Sequence, residues 1–221
     1  MTAVTAHAPA SPDLDKAYDL LAAHDRQLSA LITLHGRPDP FSWQLLRDAA
    51  GDAPLAELAL HIVSQQISTA AALTIYGRVV AAMGGVMDAG RLLAASSPDL
   101  RAAGLSGAKS RSLQDLAQRV IDGRLDFERL ARSDDQTAEA ELEQVRGVGP
   151  WSAQMFLLHH LRRPDVFPAA DIGLLRGAQS AFALHARPTP IELAGRAQRW
   201  RPLRSYAAAL LWAHAKDLPA G

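Results

Sequence analysis

The sequence predicts an all-α protein of about ten short helices, and three observations carry that reading. Apolar residues recur at intervals of three and four along nearly the whole chain, and two-residue alternation is essentially absent. Ser, Asp and Pro starts and glycine stops punctuate the apolar runs.

Met1 to Pro12 carry no such pattern and are expected to be disordered. A helix follows, with Ser11-Pro12 as its start, Tyr18, Leu21, Leu28, Leu31 and Ile32 as its stripe, and Gly36-Arg37-Pro38 as its stop. A short segment centres on Trp43, Leu45 and Leu46. Pro54 opens a helix through Leu58, Ile62 and Val63. Ser68 caps a separate one through Leu73, Ile75, Val79 and Val80, which Gly84-Gly85 stops. Ser97-Pro98-Asp99 starts a short helix ending at Gly104. Ser106 caps the next, through Leu113, Leu116, Val120 and Ile121, with Gly123 after it. Two helices flank Gly147-Val148-Gly149-Pro150. The last three run from Asp171 to Ala183, from Pro190 to Arg199, and from Pro202 to about Ala215.

Composition narrows the function classes. With 221 residues, 48% of them apolar, the chain can build one ordinary core or two small lobes. The absence of cysteine excludes disulfides, thiolate zinc sites and cysteine-held iron–sulfur clusters. No apolar run reaches the roughly 18 residues that span a bilayer, and the N-terminus lacks a signal-peptide pattern. The expectation is a soluble cytoplasmic protein, nucleoid-associated in a bacterium, with no membrane partner. Basic and acidic residues balance at 23 each, yet residues 158–204 carry eight arginines against three acids, while the first 60 residues lean acidic. That stretch is either a local phosphate-attracting face or a solvated surface of an arginine-rich chain; charge alone leaves both open. The eight histidines show no metal-ligand spacing, and His61 and His214 stand isolated in the sequence.

The most informative segment runs from Leu142 to Arg176. Leu142 and Val145 end one helix, Gly147-Val148-Gly149 turns tightly, and Pro150 begins a second helix carrying Ala153, Phe156 and Leu157. Such a turn exposes backbone N–H groups at a helix start, which is an anion site that needs no basic residue. An ordinary helical hairpin with a glycine turn reads the same way.

With Asp171 placed 22 residues beyond Gly149, this segment resembles the helix-hairpin-helix superfamily of base-excision DNA glycosylases. Arg199-Trp200-Arg201-Pro202-Leu203-Arg204-Ser205-Tyr206-Ala207, Gly104-Leu105-Ser106-Gly107-Ala108-Lys109 and Gln65-Gln66-Ile67-Ser68 are similar to its alkylation-repair branch, the 3-methyladenine DNA glycosylase II group. The resemblance covers about residues 40 to 216. It implies a two-lobed helical core, with one lobe over about 54–135 and the other over about 13–50 plus 136–221. A lesion cleft is expected between the lobes, and no N-terminal β-rich lobe is expected, since the 65 residues before Gln66 read as helical or disordered.

The resemblance also implies residue roles. Asp171 is the catalytic carboxylate, although an aspartate after Pro-Ala-Ala is equally a good helix N-cap and both readings can hold. Trp151, Trp212 and Met155 line the base pocket, against the alternative that helix-borne tryptophans are core. Met155 and Ala213 stand where a bacterial relative carries tyrosines, which implies a more open pocket. Gln66 is the wedge that fills the gap left by a flipped base, or else an exposed polar turn residue. The amides of Gly147, Gly149 and Trp151 grip the DNA backbone, helped by Gly107 and Lys109 and more weakly by Arg176 and Arg204; Arg162-Arg163 is solvated or touches phosphate. No cofactor is required, and a structural Na+ or K+ is expected on the carbonyls of Glu143, Val145 and Val148. Lyase relatives carry a lysine where Trp151 stands, so a monofunctional, water-using enzyme is expected. Damaged double-stranded DNA is the partner of a monomer. The alternatives are a glycosylase for other lesions (uracil, ethenoadenine, hypoxanthine) and a non-catalytic DNA-binding module.

Overall fold

The structure, a computed structural model, describes residues 13–42, 49–51 and 53–219; the expectations for Met1 to Pro12 and for the Trp43–Leu46 segment lie outside them. Helices α1 (Leu14–His24), α2 (Arg26–His35), α3 (Pro54–Ser64), α4 (Thr69–Ala82), α5 (Ala89–Ala94), α6 (Ser97–Ala102) and α7 (Gly107–Ile121) come first. Then follow α8 (Phe127–Arg132), α9 (Asp135–Leu142), α10 (Pro150–His159), α11 (Ile172–Ala181), α12 (Pro190–Ala197), a 3-10 turn (Gln198–Trp200) and α13 (Arg204–Lys216). No strand is present among the described residues. The predicted caps Ser68 and Ser106 do their work, accepting from the amides of Ala71 and Lys109. The six-residue α5 and α8 are too short to leave a periodic signature, and sequence reading passed over both.

Two compact units form, one from the described residues up to Ser42 and from Leu157 onward, the other from those between. The division therefore falls within α10, and residues 136–156 belong with the middle helices, whereas the resemblance grouped them with the C-terminal lobe.

In the terminal unit, the single helix expected over Tyr18 to Ile32 is two. Asp25 breaks it, with φ −142° and ψ 110°, because its carboxylate is worth more as a cap than as a helix residue. Oδ1 accepts from the Gln27 and Leu28 amides at 3.0 and 3.2 Å, and Oδ2 accepts from Trp200 Nε1–H at 2.9 Å. A fully satisfied acid can be buried, and Asp25 is. Trp200 is itself packed against Phe167 and Phe182, inside a core that includes Tyr18, Leu28, Leu174, Tyr206 and Leu210. The last helix begins at Arg204 rather than Pro202, since the Leu203 amide closes a turn on the Trp200 carbonyl at 2.8 Å.

Helices α11 and α13 pack closely. A Cβ at Gly177 would meet the Leu211 carbonyl oxygen at 2.2 Å, so only glycine permits this crossing. Near it, His35 Nε2 and His214 Nδ1 lie 3.0 Å apart, His35 Nδ1 lies 3.2 Å from Asp217 Oδ2, and His214 Nε2 lies 2.9 Å from Ser180 Oγ. His214, isolated in the sequence, thus joins α2, α11 and α13.

In the middle unit α3 is buried from Ala56 through Val63, in keeping with an apolar surface all round. Helices α4 and α7 pack against it, and α5 and α6 pack against α7. His61 and Glu57, 3.9 Å apart, are enclosed in α3.

Burial, then the neighbouring His35 imidazole, lower the His214 pKa from its ordinary value, with Asp217 opposing. Below pH of about 6.5 the unfolded chain therefore binds more protons at this position than the folded one. Stability should be fully held above that pH and fall as pH drops through it. His214→Gln should flatten that limb in urea titrations across pH 5 to 7.5, and an unchanged limb would remove His214 as its source.

Candidate active site

Asp171 is the N-cap of α11, with φ −68° and ψ 128°, and its Oδ1 accepts from the Leu174 amide at 3.0 Å. The same oxygen accepts from Trp212 Nε1–H at 2.7 Å. The two readings of Asp171, cap and functional carboxylate, are therefore compatible: two donors fix one oxygen, and the carboxyl remains half-exposed.

Gly173 makes the pairing possible. A Cβ there would stand 3.0 Å from both Asp171 Oδ1 and Trp212 Cδ1. Four residues on, Gly177 lets α13 approach far enough for Trp212 to arrive. Sequence reading missed both glycines; their only trace is a four-residue spacing just after Asp171. His159 packs on the Trp212 ring at 6.3 Å and 28°, so one indole face is already covered. His159 is buried.

The segment leading to Asp171 is held from α13. The Ser205 hydroxyl donates toward the Arg163 and Val166 carbonyls at 2.7 and 3.0 Å and accepts from the Val166 amide at 3.0 Å. Arg204 Nε donates to Asp165 Oδ1 at 2.8 Å. The Arg199–Ala207 block is thus structural: Trp200 fixes Asp25, while Arg204 and Ser205 fix Pro164 to Val166. Arg204 is committed to Asp165, and Arg176 donates to the Pro219 carbonyl at 2.8 Å, which corrects both as phosphate contacts. Arg163 is buried rather than solvated, and Arg162 lies over the Phe41 ring at 5.2 Å.

In the middle unit the hairpin turn is built around Gly147. Its φ is +77°, and a Cβ would sit 2.5 Å from Ser112 Oγ, so glycine is required twice over. The Val148 amide donates to the Val145 carbonyl at 3.0 Å, and the Arg146 amide donates to Asp115 Oδ2 at 2.8 Å. Asp115, also missed, is pushed up by burial but held below the ordinary carboxylate range by the Arg146 amide and Arg119. Among the described residues no acceptor takes the Gly147 or Gly149 N–H; Gly147 is exposed and Gly149 half-buried, just before α10 begins at Pro150. Trp151 is half-buried, whereas Met155, one turn on, is a core residue only 1% exposed. That corrects Met155 as an open lining residue: nearly all of α10 after Gln154 points into packed interior.

Gln66 is exposed at the tip of the turn between α3 and α4, with φ +59°. Lys109 does not reach outward from α7. Its ammonium donates to the Val63 and Gln65 carbonyls at 2.7 and 2.8 Å, and burial lowers its pKa. Gly107 starts α7 without a steric need for glycine, its would-be Cβ meeting only Arg111 at 3.5 Å. The carbonyls of Glu143, Val145 and Val148 are hard oxygen donors of the kind a monovalent ion takes; Val145 already accepts the Val148 amide and has one lone pair left. Among the described residues no cluster of three or more His, Asp or Glu could hold a metal, and no helix is long and apolar enough to cross a membrane.

The family model of the HhH-GPD superfamily, described as base excision DNA repair proteins, matches residues 60–202. A DNA-3-methyladenine glycosylase of Saccharomyces cerevisiae is 38% identical over 129 residues, which is 54% of this chain and 44% of that protein. The chain spans about half the length of most of the curated relatives it matches. Among solved structures, the Schizosaccharomyces pombe 3-methyladenine DNA glycosylase Mag1 in complex with abasic DNA superposes with a TM-score of 0.78 at 28% identity, covering 89% of this chain and 95% of that one. A Bacillus halodurans DNA-3-methyladenine glycosidase gives 0.75 at 30% identity, covering 96% and 92%.

Gly173→Ala should leave the protein folded but separate the indole from the carboxylate. The Trp212 indole N–H resonance should then move while that of Trp200 stays. Coincident spectra for the two proteins would show that Gly173 does not control the pair.

Proposed function

This chain belongs to the HhH-GPD superfamily of base excision DNA repair proteins, and from that premise we propose that it is a monofunctional DNA glycosylase for alkylated bases of the 3-methyladenine and 7-methylguanine type. The observation that carries the reading is the Asp171 carboxylate, held by the Leu174 amide and the Trp212 indole on a residue that is only partly buried.

A base stacked in a duplex is out of reach, so the target nucleotide must be swung out of the helix. A ring-alkylated purine carries positive charge and departs easily. The bond between C1′ and the base nitrogen breaks with its electron pair going to the base, and positive charge develops on the sugar. Asp171 stabilises that charge and orients a water, which adds to C1′ and gives up a proton. The products are the free base and an abasic site. Trp212 has two tasks: its N–H fixes the carboxylate, and its uncovered face offers electron-rich surface to a cationic base, worth about 0.5–2 kcal/mol; the resemblance gives Trp151 a base-contacting role as well. Gln66 fills the vacated space in the duplex.

The Gly147 and Gly149 amides, which have no acceptor among the described residues, take a phosphate without any cationic side chain, which reconciles DNA binding with a net charge of zero. A Na+ or K+ on the Glu143, Val145 and Val148 carbonyls would add positive potential to that grip. No amine stands at Trp151, so no imine with the sugar forms there and the strand stays intact. The protein works as a monomer on damaged double-stranded DNA.

Asp171→Asn should cut free-base release from methylated duplex DNA by about a hundredfold or more while largely sparing binding; the loss of one charge-stabilising group is of that order. Wild type should leave the strand un-nicked without added alkali. Release at the parent rate by the variant would end the mechanism. Binding with no release of any base, by wild type, would favour the non-catalytic module.

A further inference from the structure

The end of α3 poses an accounting problem that the chain solves from a distance. A helix leaves its last carbonyls without partners. Here the His61 carbonyl accepts from the Ser64 hydroxyl at 2.9 Å, and the Ser64 carbonyl accepts weakly from the Ile67 amide at 3.4 Å. Those of Val63 and Gln65 are served by Lys109, third residue of α7 and more than forty positions away. Two of the three ammonium hydrogens are thereby used, on acceptors that also complement the negative end of the α3 dipole.

The turn so anchored reaches on to the hairpin. Gln65 Nε2 donates to the Gly147 carbonyl at 2.8 Å and to Ser152 Oγ at 3.0 Å. Between these two anchors lies Gln66, an L-residue held at φ +59°, a conformation that persists only where its surroundings impose it. A continuous path therefore runs from the Lys109 ammonium through the Gln65 backbone and carboxamide to the peptide group joining Gly147 and Val148.

The geometry points to Lys109 and Gln65 as positioning residues that lock the Gln66 turn and the Gly147 hairpin into one piece, with Lys109 making no phosphate contact of its own. This deepens the proposed reading and rests on it for the roles of Gln66 and the hairpin: filling the gap in the duplex and gripping the backbone then occur as one event. It also explains why a lysine inside a block matched to DNA glycosylases has its charge turned inward.

The test uses the full chain. In amide spectra of the free protein, Lys109→Met should shift Gln66 and Ile67 and also Val148, whose peptide group carries the Gly147 carbonyl. In a Gln65→Ala background the same change should still move Gln66 and Ile67 but no longer Val148. With duplex DNA, Lys109→Met should leave the slope of log Kd against log salt unchanged, whereas a lost phosphate contact lowers it by about 0.9. Fluorescence of 2-aminopurine beside a lesion should report at least about a tenfold loss of the flipped state in both single variants. A slope reduced by about 0.9 with Val148 unmoved would overturn the assignment. Should Lys109→Met unfold, Gln65→Ala alone decides: an unshifted Val148 and normal flipping refute it. A wild type that neither binds DNA nor releases bases would defeat the functional reading, while the amide shifts would still settle the coupling.

Discussion

The structure of the terminal unit depends on how closely α11 and α13 cross. Gly177 leaves no room for a side chain against the Leu211 carbonyl, and Gly173 leaves none between the Asp171 carboxylate and the Trp212 ring. Two missing methyl groups thus bring an indole N–H to 2.7 Å from a carboxylate that already caps a helix. Packing, not local sequence preference, makes the site. Side chains at these two positions would raise helix propensity and force the helices apart.

The same logic of one group serving two ends recurs elsewhere. Asp25 caps α2 and receives Trp200, which lets the first helical segment fold back on itself inside the core. Ser205 ties the approach to Asp171 onto α13, and Asp115 ties the hairpin turn to α7. Ser205 is satisfied by backbone groups alone, while Asp25 and Asp115 each combine backbone amides with one side-chain donor, Trp200 and Arg119, an arrangement that makes burial tolerable and geometry unique. In the proposed reading a neutral overall charge is no contradiction, because backbone amides at a helix start can attract an anion that no count of lysines and arginines records.

Much of this was readable in the chain, and the exceptions share a cause. Ser68, Ser106 and Asp171 announce themselves as caps because the hydrogen bonds they make are local, within three residues. The all-helical class, the hairpin and the glycine at its turn follow from periodicity and backbone sterics. What escaped involves partners far apart in sequence: Asp25 with Trp200, His35 with His214, Lys109 with the end of α3. Asp25 reads as one polar residue in a helical stripe until its indole partner is known. Lys109, in a matched block beside a glycine, reads as a phosphate ligand until its ammonium is seen on two carbonyls. Met155 came from the resemblance, as a position where a relative carries tyrosine, and a matched position does not say how deeply this side chain is packed.

The proposed mechanism turns on an indole N–H that holds the Asp171 carboxylate in place. Trp212→Phe tests it most directly, because it keeps an aromatic face for the base and removes only the donor. Single-turnover release of free base from methylated DNA should slow by about ten- to a hundredfold, the worth of one hydrogen bond to a charged group, with lesion-DNA affinity nearly unchanged. A variant that releases base at the parent rate would contradict the account.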